Sequence, residues 1–148
     1  MASDDDFTGK YVNFNKLDSD VQLLIKESVK ARNNAYCPYS NFRVGAALLT
    51  DSGIVTGCNI ENASLGGTIC AERTAIIKAV SSGKSTFEIM AVCADLEEGV
   101  ISPCGICRQF ISEFSQTNNI SLYLCDSSVK KMIKSSIWEL LPLSVQKI

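Results

Sequence analysis

Three cysteines and one glutamate stand out in this sequence by their type and spacing. Cys70 is followed two residues later by Glu72, and Cys104 and Cys107 form a Cys-x-x-Cys pair further along the chain. The sequence contains no histidine, so a zinc site in it must use thiolates, or thiolates together with carboxylates. Catalytic zinc sites have three protein ligands and an open position, whereas structural sites have four ligands. The pattern therefore predicts one catalytic Zn²⁺ per chain, bound by Cys70, Cys104 and Cys107.

Both cysteine motifs are predicted to open helices. The residues from 70 to 80 and from 104 to 114 have helical character, and Pro103 precedes the second segment. Free N–H groups and partial positive charge at a helix N-terminus favour the thiolate form that zinc requires. We expect the two helix starts to converge on the ion. Glu72 would then be near enough to exchange protons there without being a ligand.

The rest of the chain predicts one α/β domain, with a sheet between helices. Residues 1–12 include three consecutive aspartates and are interpreted as a flexible acidic tail, and residues 13–148 as the domain. Asp51-Ser52-Gly53 predicts a hairpin turn. For residues 129–135 both a strand and a helix are considered. Further helices are expected at 19–34 and 137–141, and further strands at 43–50, 54–60, 88–94 and 120–125.

Composition disfavours several classes of partner. A net charge of −2 provides no clustered positive surface, so nucleic acid is an unexpected partner. No run approaches the roughly 20 apolar residues of a membrane span, and the first ten residues do not resemble a targeting signal. Seven cysteines, an odd number, suit a reducing compartment better than a disulfide framework. The expected location is the cytoplasm, with passive entry into the nucleus.

Three further residues have two interpretations each, and a fourth has one. Asn59 and Glu61 alternate at the end of a predicted strand and share a face, which suits either sugar hydroxyls or solvent. Arg73 could offset the negative charge of three thiolates around Zn²⁺, or lie on an ordinary helix surface. Phe42, just before a strand, is most simply a packing residue.

Two zinc-free or non-catalytic alternatives also explain some of the cysteines. A Cys-x-x-Cys pair at a helix start is typical of a thioredoxin-like redox site, but this leaves Cys70 and Glu72 unexplained. A closed structural zinc site would need a fourth thiolate from the cysteines outside the two motifs, which are Cys37, Cys58, Cys93 and Cys125.

Four segments together resemble the small, homotetrameric, zinc-dependent cytidine deaminases, over nearly the whole chain after the acidic tail. The zinc motifs fit the deaminase signature of a ligand, one residue and a glutamate, followed by Pro-Cys-x-x-Cys. The matching segments are Tyr39-Ser40-Asn41-Phe42-Arg43-Val44-Gly45-Ala46-Ala47-Leu48, Gly57-Cys58-Asn59-Ile60-Glu61-Asn62-Ala63, Cys70-Ala71-Glu72-Arg73-Thr74-Ala75 and Ser102-Pro103-Cys104-Gly105-Ile106-Cys107-Arg108-Gln109.

The resemblance implies a three-layer α/β/α sandwich with a five-stranded mixed sheet, and a homotetramer with active sites near subunit interfaces. It implies hydrolysis of cytidine and deoxycytidine to uridine and deoxyuridine, with zinc-bound hydroxide attacking the amine-bearing carbon and Glu72 carrying protons. Alternatives are deamination of another aminopyrimidine nucleoside or of a polynucleotide. The implied substrate contacts are Phe42 with the base, Asn59 and Glu61 with the ribose, and the backbone at Ala71 and Ser102 with the base; Arg73 would contact the thiolates.

Overall fold

The computed structural model describes residues 9–97, 99–115 and 117–145. It is an α/β structure in which one mixed sheet separates helices on its two faces. The helices are α1 (Ser19–Arg32), α2 (Ala71–Ser81), α3 (Gly105–Glu113) and α4 (Ile137–Leu140). The strands are β1 (Lys10–Tyr11), β2 (Val44–Thr50), β3 (Gly53–Cys58), β4 (Phe87–Ala94), β5 (Ser121–Asp126) and β6 (Met132–Ser136). The predicted three-layer fold is thereby confirmed.

The sheet has the order β1-β6-β5-β4-β2-β3. Only β4 and β5 run parallel, and the other neighbours are antiparallel. The expected hairpin joins β2 and β3, with Gly53 at φ 117°, a backbone region that glycine enters at little cost. Of the two interpretations of residues 129–135 the strand is right, because β6 pairs with β5.

The sheet has six strands in the described part of the chain, so the expected number of five was wrong. The extra strand, β1, pairs Lys10 with Lys134 and Tyr11 with Ile133 at the edge of β6. Residues 10 and 11 therefore belong to the sheet, although they fall within the segment predicted to be a tail. Residues 1–8 lie outside the described residues, so the tail remains a prediction there, as does the single domain over 13–148.

Alternating strand residues build two cores, one on each face of the sheet. Ala47, Ala91 and Tyr123 face α1, where they pack with Leu24 and Ile25. The neighbouring strand positions face α2 and α3, and the buried residues of that core include Ala46, Leu48, Ala71, Ala75, Ile76, Met90, Val92, Ile111, Leu122 and Leu124. Because α2 and α3 lie on the same face, their N-termini can meet beside the sheet.

None of the helices in the described ranges is both long enough and apolar enough to cross a membrane.

Candidate metal centre and adjoining cavity

The three predicted zinc ligands lie together where α2 and α3 begin. Cys70 precedes α2 and Cys104 precedes α3 as their N-cap residues, and Cys107 is buried in the first turn of α3. Their sulfur atoms all lie within 4.8 Å of one another, and the Sγ atoms of Cys70 and Cys104 are 4.0 Å apart. Tetrahedral zinc with bonds of about 2.3 Å places its sulfur ligands about 3.8 Å apart. The donor set and its spacing therefore fit zinc.

The four other cysteines do not join this cluster. Within the described residues, the only group of three or more potential metal ligands is Cys70, Cys104 and Cys107. Cys93 and Cys125 are buried on β4 and β5, where they pack among apolar side chains facing α1. No cysteine thus supplies the fourth thiolate that a closed structural site would need, and three thiolates leave one coordination position open.

Electrostatics at the cluster favour a thiolate at Cys70. Contact with the Cys107 thiol, and then with the Arg73 guanidinium, lowers the pKa of Cys70 to about 5 against the opposing effect of burial. Arg73 Nη2 lies 3.4 Å from Cys70 Sγ and also donates to the Thr68 carbonyl oxygen. The neighbouring Cys70 sulfur, and then burial, raise the pKa of Cys107. In the metal-free protein, Cys107 therefore keeps its proton beside the Cys70 thiolate, and zinc binding would release that proton.

Glu72 lies in the first turn of α2 beside these thiols and is only 4% exposed. Burial is the main cause that raises its pKa to about 7. Three thiolates and Zn²⁺ together carry a net charge of −1, which the Arg73 guanidinium balances. In the metal-free protein, burial thus brings the Glu72 carboxyl group into the range where it can both accept and donate a proton near neutral pH.

A cavity of about 260 Å³ opens directly onto Glu72, Cys70 and Cys104. All five predicted substrate contacts line it: Phe42, Asn59, Glu61, Ala71 and Ser102. Sequence reasoning did not assign the remaining wall residues: Ser40, Val44, Thr68, Val92 and Ile101. The structure thus gathers the predicted site residues around one space, except Cys107 and Arg73, which do not line the cavity but contact Cys70.

Glu61 is held by the loop that precedes β2. Its Oε2 atom accepts the backbone N–H groups of Tyr39, at 2.9 Å, and Ser40, at 3.2 Å, and its Oε1 atom accepts the Ser40 hydroxyl. The Ser40 hydroxyl, followed by the two N–H groups, outweighs partial desolvation and lowers the pKa of Glu61. Glu61 is therefore an ionised carboxylate at the cavity wall, held by three hydrogen bonds in a position that solvent still reaches.

Asn59 holds the backbone on the other side of the same loop. Its Oδ1 atom accepts the Val44 N–H at 2.8 Å, and its Nδ2 atom donates to the Phe42 carbonyl oxygen at 2.8 Å. The residue is 9% exposed. This double contact leaves the second Nδ2–H of Asn59 for a ligand. The sequence predicted an amide facing a sugar, but not that the amide also fixes the backbone of Phe42.

Arg108 is a further residue that sequence reasoning left unassigned. It donates to the Ser102 hydroxyl at 2.7 Å, to the Pro103 carbonyl at 2.8 Å and to the Leu140 carbonyl at 3.0 Å. These contacts connect the Ser102 wall of the cavity to α3 and α4. The sequence did not predict that Arg108 would connect these elements. Two of its partners are backbone carbonyl groups, and Leu140 lies 32 residues away along the chain.

Comparisons with known proteins agree with this geometry. Residues 18–123 match the family described as "Cytidine and deoxycytidylate deaminase zinc-binding region". A cytidine deaminase of Sporosarcina psychrophila is 60% identical over 96 residues, which are 64% of this chain and 70% of the relative. A probable cytidine deaminase of Dictyostelium discoideum is 46% identical, over 83% of this chain and 82% of the relative. The crystal structure of cytidine deaminase from Burkholderia pseudomallei superposes with a TM-score of 0.77 at 40% identity, covering 83% of this chain and 97% of that one.

Proposed function

The chain belongs to the family of cytidine and deoxycytidylate deaminases that share a zinc-binding region, and on this basis we propose that it hydrolyses cytidine and deoxycytidine. The products are uridine or deoxyuridine and ammonia, with the oxygen of water replacing the ring amino group. The observation that carries the proposal is the buried Glu72 carboxyl beside a three-thiol zinc site, at the end of a cavity whose wall also holds Asn59 and Glu61.

Cys70, Cys104 and Cys107 would hold the zinc, and Glu72 would move the protons. Zinc at this site supplies a Lewis acid that brings the pKa of water close to neutrality. Glu72 accepts the proton that water loses and delivers it to N3 of the pyrimidine ring. It then transfers a second proton to the departing amine. A pKa raised to about 7 suits a group that must act first as base and then as acid.

The hydrogen-bonding capacity left at Asn59 and Glu61 suits one hydroxyl group of a sugar. An ionised carboxylate has about four lone-pair sites, and three protein donors already bond to Glu61. One remaining acceptor site on Glu61 and one remaining N–H on Asn59 match a single hydroxyl, which donates to one and accepts from the other. A site that engages one sugar hydroxyl supports turnover of both ribonucleosides and deoxyribonucleosides.

The charge of the cavity favours nucleosides over nucleotides and polynucleotides. Two carboxyl groups, Glu61 and Glu72, line it, and no lysine or arginine is among its described wall residues. Phosphate recognition in proteins relies on cationic side chains or on helix N-termini, and the two N-termini here face the metal position. The family includes deoxycytidylate deaminases, but a phosphate near Glu61 would meet an unfavourable charge.

The decisive experiment measures absorbance loss and ammonia release with the zinc-loaded protein. We expect turnover of cytidine and deoxycytidine. For deoxycytidine 5′-monophosphate and for a cytosine-containing oligonucleotide, kcat/KM should be at least about 100-fold lower, which corresponds to an activation free energy higher by about 2–3 kcal/mol. Comparable turnover of the nucleotide would overturn the nucleoside assignment. Zinc below one ion per chain, with Cys104 and Cys107 cycling as a dithiol, would instead support the redox alternative.

For the assembled protein we propose a homotetramer with its active sites near subunit interfaces. The cavity of about 260 Å³ is slightly smaller than the roughly 300–1,000 Å³ typical of ligand pockets, which bury most of their ligand. Apolar side chains stay exposed on its wall and on α4, including Ile101 at 46% and Trp138 at 54%. Both features support closure by neighbouring subunits. Light scattering at assay concentration tests this, and a monomer with full turnover would refute it.

We further propose a cytoplasmic location with passive nuclear entry. The support is chemical: the site needs three reduced cysteines, and the described cysteines are all free thiols. A reducing compartment preserves this state. Imaging of a tagged chain tests the proposal.

A further inference from the structure

The loop before β2 makes a tight turn that one serine hydroxyl closes. The Asn41 N–H donates to the Cys37 carbonyl at 2.9 Å, and Asn41 has φ 55°, a left-handed conformation that asparagine tolerates better than most residues. Across this residue, the Ser40 hydroxyl accepts the Phe42 N–H at 3.1 Å. Serine hydroxyls commonly bond to the backbone two residues ahead and stabilise turns in this way.

The same hydroxyl also makes the single protein contact described at Glu61 Oε1, while two backbone N–H groups occupy Oε2. A serine hydroxyl has one donor and two acceptor positions, so both bonds form at once. Ser40 thus joins the carboxylate proposed to bind the sugar to the backbone of the residue proposed to contact the base. Ser40 itself lines the cavity.

We propose that Ser40 is a positioning residue for the nucleoside: it fixes the Glu61 carboxylate and the Phe42 backbone in one arrangement before the ligand binds. The inference rests on the proposed function, because it assumes that a nucleoside occupies this cavity. Without the hydroxyl, Oε1 of Glu61 loses its partner and the carboxylate can rotate about its terminal bond. The ligand must then order Glu61 on binding, which lowers affinity in the ground state and in the transition state equally.

The test uses the zinc-loaded protein with the substitutions Ser40→Ala and Ser40→Thr. For Ser40→Ala we expect the cytidine KM to rise about 5- to 30-fold, the loss typical of one hydrogen bond to a charged group at a partly exposed site, with kcat within about threefold. The dissociation constant of uridine, which is not turned over, should rise by a similar factor in calorimetry. Ser40→Thr retains a hydroxyl and should restore both values to within about threefold of the parent protein.

Two further variants separate positioning from a general structural role. In a Glu61→Ala background, Ser40→Ala should raise the cytidine KM by a clearly smaller factor than in the parent protein, because only the bond to the Phe42 backbone is then lost. Ser81→Ala is the matched control: Ser81 is also exposed and bonds locally, to the Lys78 carbonyl, at the far end of α2. It should leave KM and uridine affinity unchanged.

The outcomes distinguish failure of this inference from failure of the proposed function. An unchanged KM in Ser40→Ala, a loss in kcat alone, no rescue by threonine, or an equal effect in the Glu61→Ala background would each overturn the positioning role. If the parent protein neither deaminates cytidine nor binds uridine, the proposed function itself is wrong.

Discussion

Gly57 offers the most direct way to disturb the metal centre without touching any of its residues. It lies on β3, where the backbone of α2 passes against the sheet. A Cβ atom at Gly57 would lie 2.4 Å from the Ala75 backbone nitrogen and 2.7 Å from the Ala71 carbonyl oxygen, whereas 3.4 Å is an ordinary contact. Backbone atoms cannot rotate away, so Gly57→Ala should displace α2 from β3 by about 1 Å.

This displacement is large compared with the tolerance of the site. Cys70, Glu72 and Arg73 move with α2, while Cys104 and Cys107 belong to α3. Distances in metal sites are reproduced to within about 0.2 Å, and a misplacement of about 1 Å can cost about 100-fold in rate. We expect Gly57→Ala to lower the free energy of unfolding by about 1–3 kcal/mol. Zinc affinity should fall, and kcat/KM for cytidine should fall by about 100-fold.

Chelator competition, chemical denaturation and cytidine turnover measure these three effects, and two other glycines provide controls. At Gly45 a Cβ would lie 2.1 Å from the Ser28 carbonyl oxygen, so Gly45→Ala should displace α1 and lower stability while zinc binding persists. At Gly105, between the cysteines of the second motif, a Cβ meets no atom within 4 Å, and Gly105→Ala should be neutral. If Gly57→Ala lost stability yet kept the zinc affinity and turnover of the parent, the claim that α2 must seat against β3 for the site to form would be refuted.

Five further substitutions test the roles of individual residues. Replacing Cys70, Cys104 or Cys107 singly by serine should reduce zinc below one ion per chain in metal analysis, and full retention in any variant would remove that residue from the ligand set. Glu72→Gln should keep zinc and stability but lower cytidine kcat about 10²- to 10⁴-fold, the usual contribution of proton transfer; activity within a few-fold of the parent would contradict the proton role. Glu61→Gln places an amide N–H₂ among donor groups, so cytidine KM should rise and discrimination against a phosphate near this residue should weaken; an unchanged KM for cytidine would remove Glu61 from the sugar site.

Residue type and spacing were enough to predict which residues come together at the metal centre. We call this group, which comprises Cys70, Glu72, Cys104 and Cys107, the metal half of the site. Cysteines at two helix starts have few roles, and Cys-x-x-Cys places Cys107 one helical turn after Cys104 on the same face. The helical and strand patterns placed α2 and α3 within a few residues of their observed bounds. The sequence could not show that Cys70 and Cys104 precede their helices as caps, because a cap is defined by backbone angles that many residue types can adopt.

The part of the site that is proposed to bind the sugar was harder to infer. We call this group, which comprises Ser40, Asn59 and Glu61, the sugar half of the site. Alternation placed Asn59 and Glu61 on one face, but the partners of Asn59 are backbone atoms of Phe42 and Val44, and backbone partners leave no mark in sequence. Ser40 lies in a short polar loop, where serine is typical of any turn. β1 was missed because Lys10 and Tyr11 follow an acidic segment and show no apolar alternation; their pairing depends on the exposed edge of β6.

The metal half and the sugar half of the site are held in place by different interactions. This difference predicts which substitutions should change zinc content and kcat, and which should change KM. The metal half depends on the seating of α2 and α3 against the sheet, where Ala71, Ala75 and Gly57 allow close approach. The sugar half depends on hydrogen bonds between side chains and one loop, which involve no zinc ligand. Changes that move a helix should therefore alter zinc content and kcat together, whereas changes in the loop should raise KM and leave zinc in place. A loop substitution that expelled zinc would show that the halves are mechanically coupled through Asn59 and the ends of β2 and β3.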